Sequence, residues 1–169
     1  FIHYINTMIL KIKNKDTLII DKFKFRCAIG RNGITKKKIE GDGCSPQGTF
    51  SFGKLYWRKD RVEKIKTKLI SKIIKKNCCW CNDPDSYLYN KEISIKQKVR
   101  KEKLFRSDYK YNYFIVINYN TKNIIKNRGS AIFLHLTKKY KKTAGCIAVS
   151  EKDFIIIAKL LKKNSKIKI

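Results

Sequence analysis

A histidine and a cysteine in the last third of the chain have the residue types that acyl-transfer chemistry requires. His135 and Cys146 are separated by ten residues. An unassisted thiol is largely protonated at pH 7, so a cysteine nucleophile needs a base, and an imidazole can take the thiol proton and then stabilise the thiolate. Cysteine is also often simply buried. The pair therefore indicates either a nucleophile with its base or an inert thiol near a hydrogen-bonded histidine.

Two short apolar segments are expected to position these side chains. Ala131–Leu136 has the composition of a strand, and strand alternation puts His135 on the same face as Phe133. Ile147–Val149 is a second short strand that starts directly after Cys146. If the two strands are neighbours, the lysine-rich loop between them folds back and the two side chains meet at the strand ends.

A glycine directly before the cysteine fits the same chemistry. Gly145 lets the chain bend sharply at this point. It also leaves backbone N–H groups free to face a developing oxyanion, and the loss of one such donor can cost about 3 kcal/mol. We therefore expect Gly145 to contribute backbone to an oxyanion site.

The rest of the pattern predicts a mainly β domain with one late helix. Alternating or β-branched segments bounded by turn-forming residues indicate strands, at 9–14, 17–20, 23–29, 49–53 and 113–119. Residues 30–48 form a glycine-rich connector, a composition typical of tight backbone geometry. Ser150 begins a capping-box pattern before an apolar run at 154–161, which predicts the helix. We expect one domain over 8–169 after an upstream extension at 1–7.

The formal net charge of +28 has two explanations. A basic chain can bind nucleic acid or another anionic surface. However, the chain has 34 Lys and only 7 Arg, and the lysines are spread from end to end, whereas phosphate-binding proteins favour the bidentate geometry of arginine. Codon drift in an AT-rich genome explains this bias better, so we expect no specific nucleic-acid complex. No apolar run approaches the length of a transmembrane segment.

The other cysteines suggest a metal site only weakly. The chain has six cysteines, and a domain of this size does not need disulfides to fold. Cys78 and Cys81 form a C-x₂-C pair, but a zinc site of this kind needs a second pair. Cys27 and Cys44 could in principle supply it. Structural or fortuitous thiols are the simpler interpretation, and we expect no metal and no cofactor.

Several motifs, in order along the chain, resemble the L,D-transpeptidase family. Thr143-Ala-Gly-Cys146, with His135 upstream in a Phe-Leu-His strand, looks like the catalytic signature of these enzymes. The segments Gly129–His135, Gly41–Phe50 and Phe25–Gly30 are similar to the family's histidine strand, its glycine-proline segment and its early strand. Trp80-Cys-Asn-Asp-Pro84 with Tyr89-Asn90 is similar to a pattern in one branch of the family. The likeness extends roughly from Met8 to Leu161.

The resemblance implies a β-sheet catalytic domain that acts on peptidoglycan stem peptides. The cysteine attacks the carbonyl between a diamino acid and a terminal D-amino acid, and an amine resolves the thioester into a cross-link. Carried over by position, Cys146 is the nucleophile, His135 the general base and Gly145 part of the oxyanion site. The substrate-binding candidates are Thr143, Ser130, Trp80, Tyr89 and Asn90. Trp80 and Tyr89 could equally belong to the core, and Asn90 could be a turn former.

The sequence also departs from the commoner family signature. Ala144 stands where that signature has a second histidine, and Ala148 where it has Arg or Asn. Resolution of the thioester by water, as in an L,D-carboxypeptidase, is therefore an alternative activity. Another alternative is a basic protein that binds anionic wall polymer or nucleic acid on the same fold. The family implies the cell envelope or periplasm, although no signal peptide is visible, and the oligomeric state stays open.

Overall fold

A computed structural model describes residues 7–169 of the protein. The described elements are β1 (Ile9–Lys13), β2 (Thr17–Ile20), β3 (Phe23–Ala28), β4 (Ile34–Thr35), β5 (Ser45–Pro46), β6 (Thr49–Trp57), β7 (Ser71–Ile73), β8 (Cys78–Cys81), β9 (Glu92–Ser94), β10 (Lys101–Lys103), β11 (Tyr113–Ile117), β12 (Phe133–Leu136), β13 (Ile147–Val149), α1 (Glu151–Leu160) and β14 (Lys166–Lys168). The prediction of a mainly β fold with one late helix is confirmed. The extension expected at 1–7 lies outside the described residues except for Thr7, and the domain boundary stays a prediction.

Nine of the strands form one sheet that closes on itself. Their order is β11-β12-β13-β3-β2-β1-β14-β6-β7, and β11 also pairs with β6. The length of β6 makes this closure possible, because its first residues pair with β14 and its last residues pair with β11 and β7. The described residues contain no helix that is long and apolar enough to cross a membrane.

The two faces of the sheet near its last strands belong to different apolar cores. Leu134 and Leu136 face a large core that α1 covers, whereas Phe133 faces a second core that includes Cys146. This alternation along β12 agrees with the strand predicted there. The helix begins at the predicted cap, where Ser150 Oγ accepts a hydrogen bond from the Asp153 N–H at 3.1 Å.

A small three-stranded sheet lies beside the second core. Its order is β10-β8-β9, and the sequence pattern assigned none of these strands. All four residues of β8 are buried, so its two faces show no polar and apolar alternation. β9 and β10 are three residues long and rich in charge. This sheet, which we call the flap sheet, brings Trp80 and Glu102 opposite each other.

The glycine-rich connector packs against the loop that precedes β13. Ser45 is fully buried, and its hydroxyl accepts from the Gly30 N–H at 2.9 Å and donates to the Gly145 carbonyl at 2.7 Å. A Cβ on Gly30 would lie 2.5 Å from the Gly43 carbonyl oxygen. Three backbone segments therefore meet at distances that only glycine allows, and this junction holds the backbone of Gly145 in place.

Gly30→Ala should destabilise the protein more than Gly53→Ala. The added Cβ of Gly30→Ala would meet backbone atoms of Gly43 and Ser45 at 2.5 and 2.6 Å, and such overpacking costs about 1–3 kcal/mol. At Gly53 the nearest atoms belong to the side chains of Asn118 and Val116 at 3.0 and 3.1 Å, which can shift. Urea denaturation measures both changes in the free energy of unfolding. Equal stability of the two variants would contradict this account of the junction.

Candidate active site

His135 lies on β12, and Cys146 directly precedes β13, which is the neighbouring parallel strand. β12 pairs with β13 so that His135 is opposite Ala148. Cys146 is two residues before Ala148, so its side chain is on the same face of the sheet as that of His135. Both side chains line a cleft of about 650 Å³. A substrate in this cleft would therefore meet a thiol and an imidazole that come from adjacent strands.

The His135 imidazole is held in one neutral tautomer. Its Nδ1 lies 3.0 Å from the Leu136 carbonyl oxygen, and a carbonyl oxygen can only accept, so Nδ1 carries the proton. Burial, together with the charges of Lys110 and Arg106, lowers the pKa of His135 to about 4. At neutral pH the ring is therefore uncharged, and Nε2 is the nitrogen that can accept a proton.

The Cys146 thiol is also neutral in this state. Its Sγ donates to the Ala131 carbonyl at 3.2 Å and accepts from the Phe133 N–H at 3.4 Å. Burial, followed by the charge of Glu102, raises the pKa of the thiol to about 12. The hydrogen bond between thiol and imidazole that the sequence suggested is replaced by these backbone partners. Catalytic hydrogen bonds often form only once substrate is bound, so the catalytic role of the pair stays a prediction.

The loop before Cys146 is shaped by Thr143 and Gly145. Thr143 Oγ1 donates to the Cys146 carbonyl at 2.6 Å and accepts from the Gly145 N–H at 3.0 Å. Gly145 has φ of +150°, and a Cβ there would lie 2.8 Å from the Cys44 carbonyl oxygen. Thr143 also lines the cleft. Because the Gly145 N–H is already engaged, the oxyanion role of Gly145 stays a prediction.

Ser130 and Tyr89 share one acceptor at the edge of the cleft. Ser130 Oγ donates to Glu40 Oε2 at 2.8 Å, and the Tyr89 hydroxyl donates to the same oxygen. Tyr89 also accepts from the Gly129 N–H at 2.9 Å. Ser130 lines the cleft, whereas Tyr89 is only 2% exposed and does not line it. A substrate contact from Ser130 is open to test, while Tyr89 supports the segment that carries Ser130.

Asn90 and Trp80 fix the backbone whose carbonyl accepts the hydrogen bond from the thiol. Asn90 Oδ1 accepts from the Trp80 Nε1–H at 2.9 Å and from the Ala131 N–H at 3.0 Å. Ala131 has φ of +53°, a conformation that alanine rarely adopts. Both side chains are buried and do not line the cleft. Their expected role as substrate contacts stays a prediction, and the geometry favours support of Ala131 instead.

One wall of the cleft comes from residues that sequence reasoning missed. The Tyr111 hydroxyl donates to Glu102 Oε1 at 2.5 Å, and its ring lies edge-on to the His135 ring with centroids 5.5 Å apart. The Arg106 guanidinium lies 5.1 Å from the centroid of the Tyr111 ring. The one available signal was Glu102 itself, which is a single acid within a run of lysines and arginines.

The cleft is strongly basic. Two acidic side chains, Glu40 and Glu102, line it among the described residues. Eight basic side chains line it as well, namely Arg31, Lys38, Arg106, Lys110, Lys138, Lys139, Lys141 and Lys142. A charge distribution of this kind attracts anionic ligands and raises their local concentration. The loop between β12 and β13 supplies four of the lysines, so the excess charge lies next to Cys146.

Cys78 and Cys81, which form the C-x₂-C pair, lie in different apolar clusters. Cys78 and Trp80 face the second core, whereas Cys79 and Cys81 face a third apolar cluster. The two members of the C-x₂-C pair therefore point to opposite faces of β8. No group of three metal-ligating side chains occurs within residues 7–169. Cys44, like Cys146, is only partly buried.

Comparison with known proteins identifies the family. The sequence model of the YkuD family, described as an L,D-transpeptidase catalytic domain, matches residues 6–169. The chain belongs to the YkuD family. Among solved structures it is similar to the helical cell shape determining protein Pgp2 (K307A mutant) from Campylobacter jejuni, with a TM-score of 0.51 at 15% identity. That match covers 96% of this chain and 46% of the Pgp2 chain, so this chain spans about half the length of Pgp2. No curated protein matches the sequence.

Two departures from the commoner YkuD signature fall inside the cleft. Ala144 is exposed and Ala148 is buried next to His135, and both line the cleft. Neither methyl group can donate or accept a hydrogen bond, so polar contacts to a substrate must come from other walls. Within this member of the YkuD family, the lysine-rich loop and the wall of Glu102, Arg106 and Tyr111 are the candidates.

Trp80→Phe should lower stability without changing substrate affinity. The variant removes the N–H that fixes Asn90 and part of a buried ring, at a cost of about 1–3 kcal/mol. Because Trp80 lies outside the cleft lining, we expect KM for a substrate to stay within about twofold. Trp57→Phe is the matched control, because it makes the same change to a tryptophan that is buried in the other core. A raised KM for Trp80→Phe at unchanged thermal stability would show a substrate contact instead.

Proposed function

We propose that the protein is a cysteine acyltransferase of the L,D-transpeptidase type that acts on peptidoglycan stem peptides. The observation that carries this proposal is the shared cleft of Cys146 and His135, in which the imidazole presents an unprotonated nitrogen. Membership of the YkuD family supports the same class of reaction. The basic rim suits a substrate that carries several carboxylates.

In the first half-reaction Cys146 gives up its proton, and the acyl carbon exchanges a C–N bond for a C–S bond. The Sγ–H proton of Cys146 passes to Nε2 of His135 as Sγ attacks the acyl carbon, so that a C–S bond forms. The tetrahedral intermediate then expels the amine of the terminal D-amino acid, which takes the proton back from the imidazolium. Because burial keeps both groups neutral beforehand, proton transfer accompanies attack rather than preceding it.

The second half-reaction decides the product. An amine from another stem peptide attacks the thioester to give a cross-link, and Cys146 leaves as a thiol after proton return. Water attacking at the same place gives a shortened peptide, which is the L,D-carboxypeptidase alternative. In both cases Cys146 and His135 have the same functions. We place this activity in the cell envelope or periplasm, where it would alter the wall and thereby cell shape.

A binding protein for anionic wall polymer or nucleic acid is the second candidate. The eight basic side chains that line the cleft favour it. Binding of this kind falls steeply as salt concentration rises and does not need a thiol. The two candidates therefore separate on whether Cys146 becomes covalently modified.

Cys146 should be the residue that a substrate acylates. We expect intact-mass spectrometry after incubation with a stem tetrapeptide or a carbapenem to show one adduct, and peptide mapping to place it on Cys146. Cys146→Ala should abolish the adduct, and His135→Ala should slow its formation on the order of 10²–10⁴-fold because the base is lost.

Cys44→Ala is the control for this experiment. Cys44 is the other cysteine that is only partly buried, so a reagent that merely finds an accessible thiol would label it. Acylation of Cys146 should be unchanged in Cys44→Ala. An adduct on Cys44 or on Cys78, Cys79 or Cys81, with Cys146 free, would contradict the proposed mechanism.

A further inference from the structure

One residue of the flap sheet and one residue directly beyond it line the cleft together. Glu102 lies on β10 opposite Trp80 of β8. Asn82 is two residues beyond Trp80, and its backbone N–H donates to the Arg100 carbonyl at 3.2 Å, which continues the pairing. Strand alternation therefore puts the side chains of Asn82 and Glu102 on the same face. Both line the cleft that contains Cys146.

Each of these side chains has an oxygen without a hydrogen-bond partner. Asn82 Oδ1 is the one buried side-chain nitrogen or oxygen within residues 7–169 that has no partner. Glu102 uses Oε1 to accept from Tyr111, and Oε2 has no partner among the described residues. The Glu102 side chain is 27% exposed, and its Oε2 is not among the buried atoms that lack a partner. This oxygen is therefore accessible from the cleft. Unpaired buried acceptors are rare and need an explanation.

The nearby cation does not supply the missing donor. Arg106 Nη1 lies 3.8 Å from Glu102 Oε1, beyond hydrogen-bond distance. Its guanidinium is instead bound to Asp108 through Nε and Nη2 at 2.9 and 2.5 Å. Glu40, the other acid of the cleft, already accepts from Tyr89 and Ser130. Glu102 with Asn82 is therefore the place in this basic cleft where a further donor group fits.

A primary ammonium matches this pair of acceptors. It carries three N–H donors and no acceptor, and its charge complements a carboxylate. We propose that Asn82 and Glu102 bind a primary ammonium group of the substrate and so fix which amine-bearing peptide is accepted. This inference rests on the proposed function. The ammonium could belong to the diamino acid of the acyl donor or to the peptide that attacks the thioester.

Binding of this cation would also activate the nucleophile. The pKa of the Cys146 thiol is raised by burial and, second, by the charge of Glu102. An ammonium held against Glu102 cancels that charge and lowers the cost of forming a thiolate. A substrate that lacks the amine would leave the thiol in its resting state. Recognition of the substrate amine and activation of the Cys146 thiol would then both depend on the Glu102 carboxylate.

The first test measures binding to Cys146→Ala, in which no acyl-enzyme can form. Calorimetry compares a stem tetrapeptide with a free side-chain amine and the same peptide with that amine acetylated. We expect the free amine to bind on the order of 10-fold more tightly, as for one charged hydrogen-bonded contact. Adding Glu102→Gln or Asn82→Ala should reduce this preference. Adding Glu63→Gln, an exposed acid outside the cleft, should leave it unchanged.

The second test separates the two sources of the ammonium. The acylated enzyme is given a stem peptide as acceptor, and the ratio of aminolysis to hydrolysis is measured for the wild type and Glu102→Gln. A lower ratio in Glu102→Gln assigns the site to the acceptor amine, and an effect confined to the binding test assigns it to the donor. If neither test shows dependence on Glu102, the inference is overturned while the proposed function stands.

A third measurement does not depend on turnover. In a Cys44→Ala background, iodoacetamide alkylation of Cys146 is followed at fixed pH with methylammonium chloride or the same concentration of sodium chloride. We expect methylammonium to accelerate alkylation of the wild-type site, and Glu102→Gln to be faster at the start and insensitive to the cation. If no peptide ever acylates Cys146, the proposed function fails, and this comparison still decides the inference. Equal rates in all conditions would overturn it.

Discussion

The position of Cys146, the proposed nucleophile, depends on the Ser45 hydroxyl. This group bridges the Gly30 N–H and the Gly145 carbonyl in a fully buried place. A buried hydroxyl that uses both its donor and its acceptor is costly to disturb, because either backbone partner would be left unpaired. The bridge connects residues far apart in sequence, and it fixes the turn from which Cys146 enters the cleft. Gly30 and Gly145 are required by this close approach of backbones, because a Cβ on them would lie 2.5 and 2.8 Å from a carbonyl oxygen.

The chemistry of the site follows from what surrounds the fixed thiol. Backbone groups of Ala131 and Phe133 bind Cys146, and the carbonyl of Leu136 binds His135. Neither contact involves a charge, and burial disfavours charge on both side chains. Both side chains are therefore neutral in this structure, and in the proposed mechanism they stay neutral until a substrate binds. Such a resting state also protects the thiol, since the thiolate is the form that reacts with oxidants and electrophiles.

The strands next to His135 and Cys146 were predictable from their local sequence pattern. The apolar segment around His135, the short strand after Cys146 and the cap at Ser150 all have the signals expected of them, and the structure contains each element. The first of these strands begins at Phe133 rather than Ala131, because Ala131 has a positive φ that Asn90 stabilises. That contact joins distant residues and has no local signature.

The flap sheet was not predictable for a related reason. Cys78–Cys81 is buried on both faces, so it lacks the alternation that identifies a strand. Its partners are short and charged, and their pairing becomes visible only in three dimensions. The same limit applies to Trp80 and Asn90, whose residue types suit a cleft wall as well as an internal hydrogen bond. Glu102 lies in a segment to which the sequence pattern assigned no structure, and Asn82 lies within the motif Trp80–Pro84, where nothing in the sequence distinguished it.

The central claim is that His135 is a neutral base with its proton on Nδ1. Nitrogen-15 NMR of the imidazole as a function of pH tests it most directly, with His135→Gln to assign the signal. We predict a protonated Nδ1 and an unprotonated Nε2 at pH 7, and because the pKa is lowered to about 4, the ring should take up its second proton only as the pH falls towards that value. A proton on Nε2 at pH 7, or an imidazolium that persists above pH 6.5, would contradict the account.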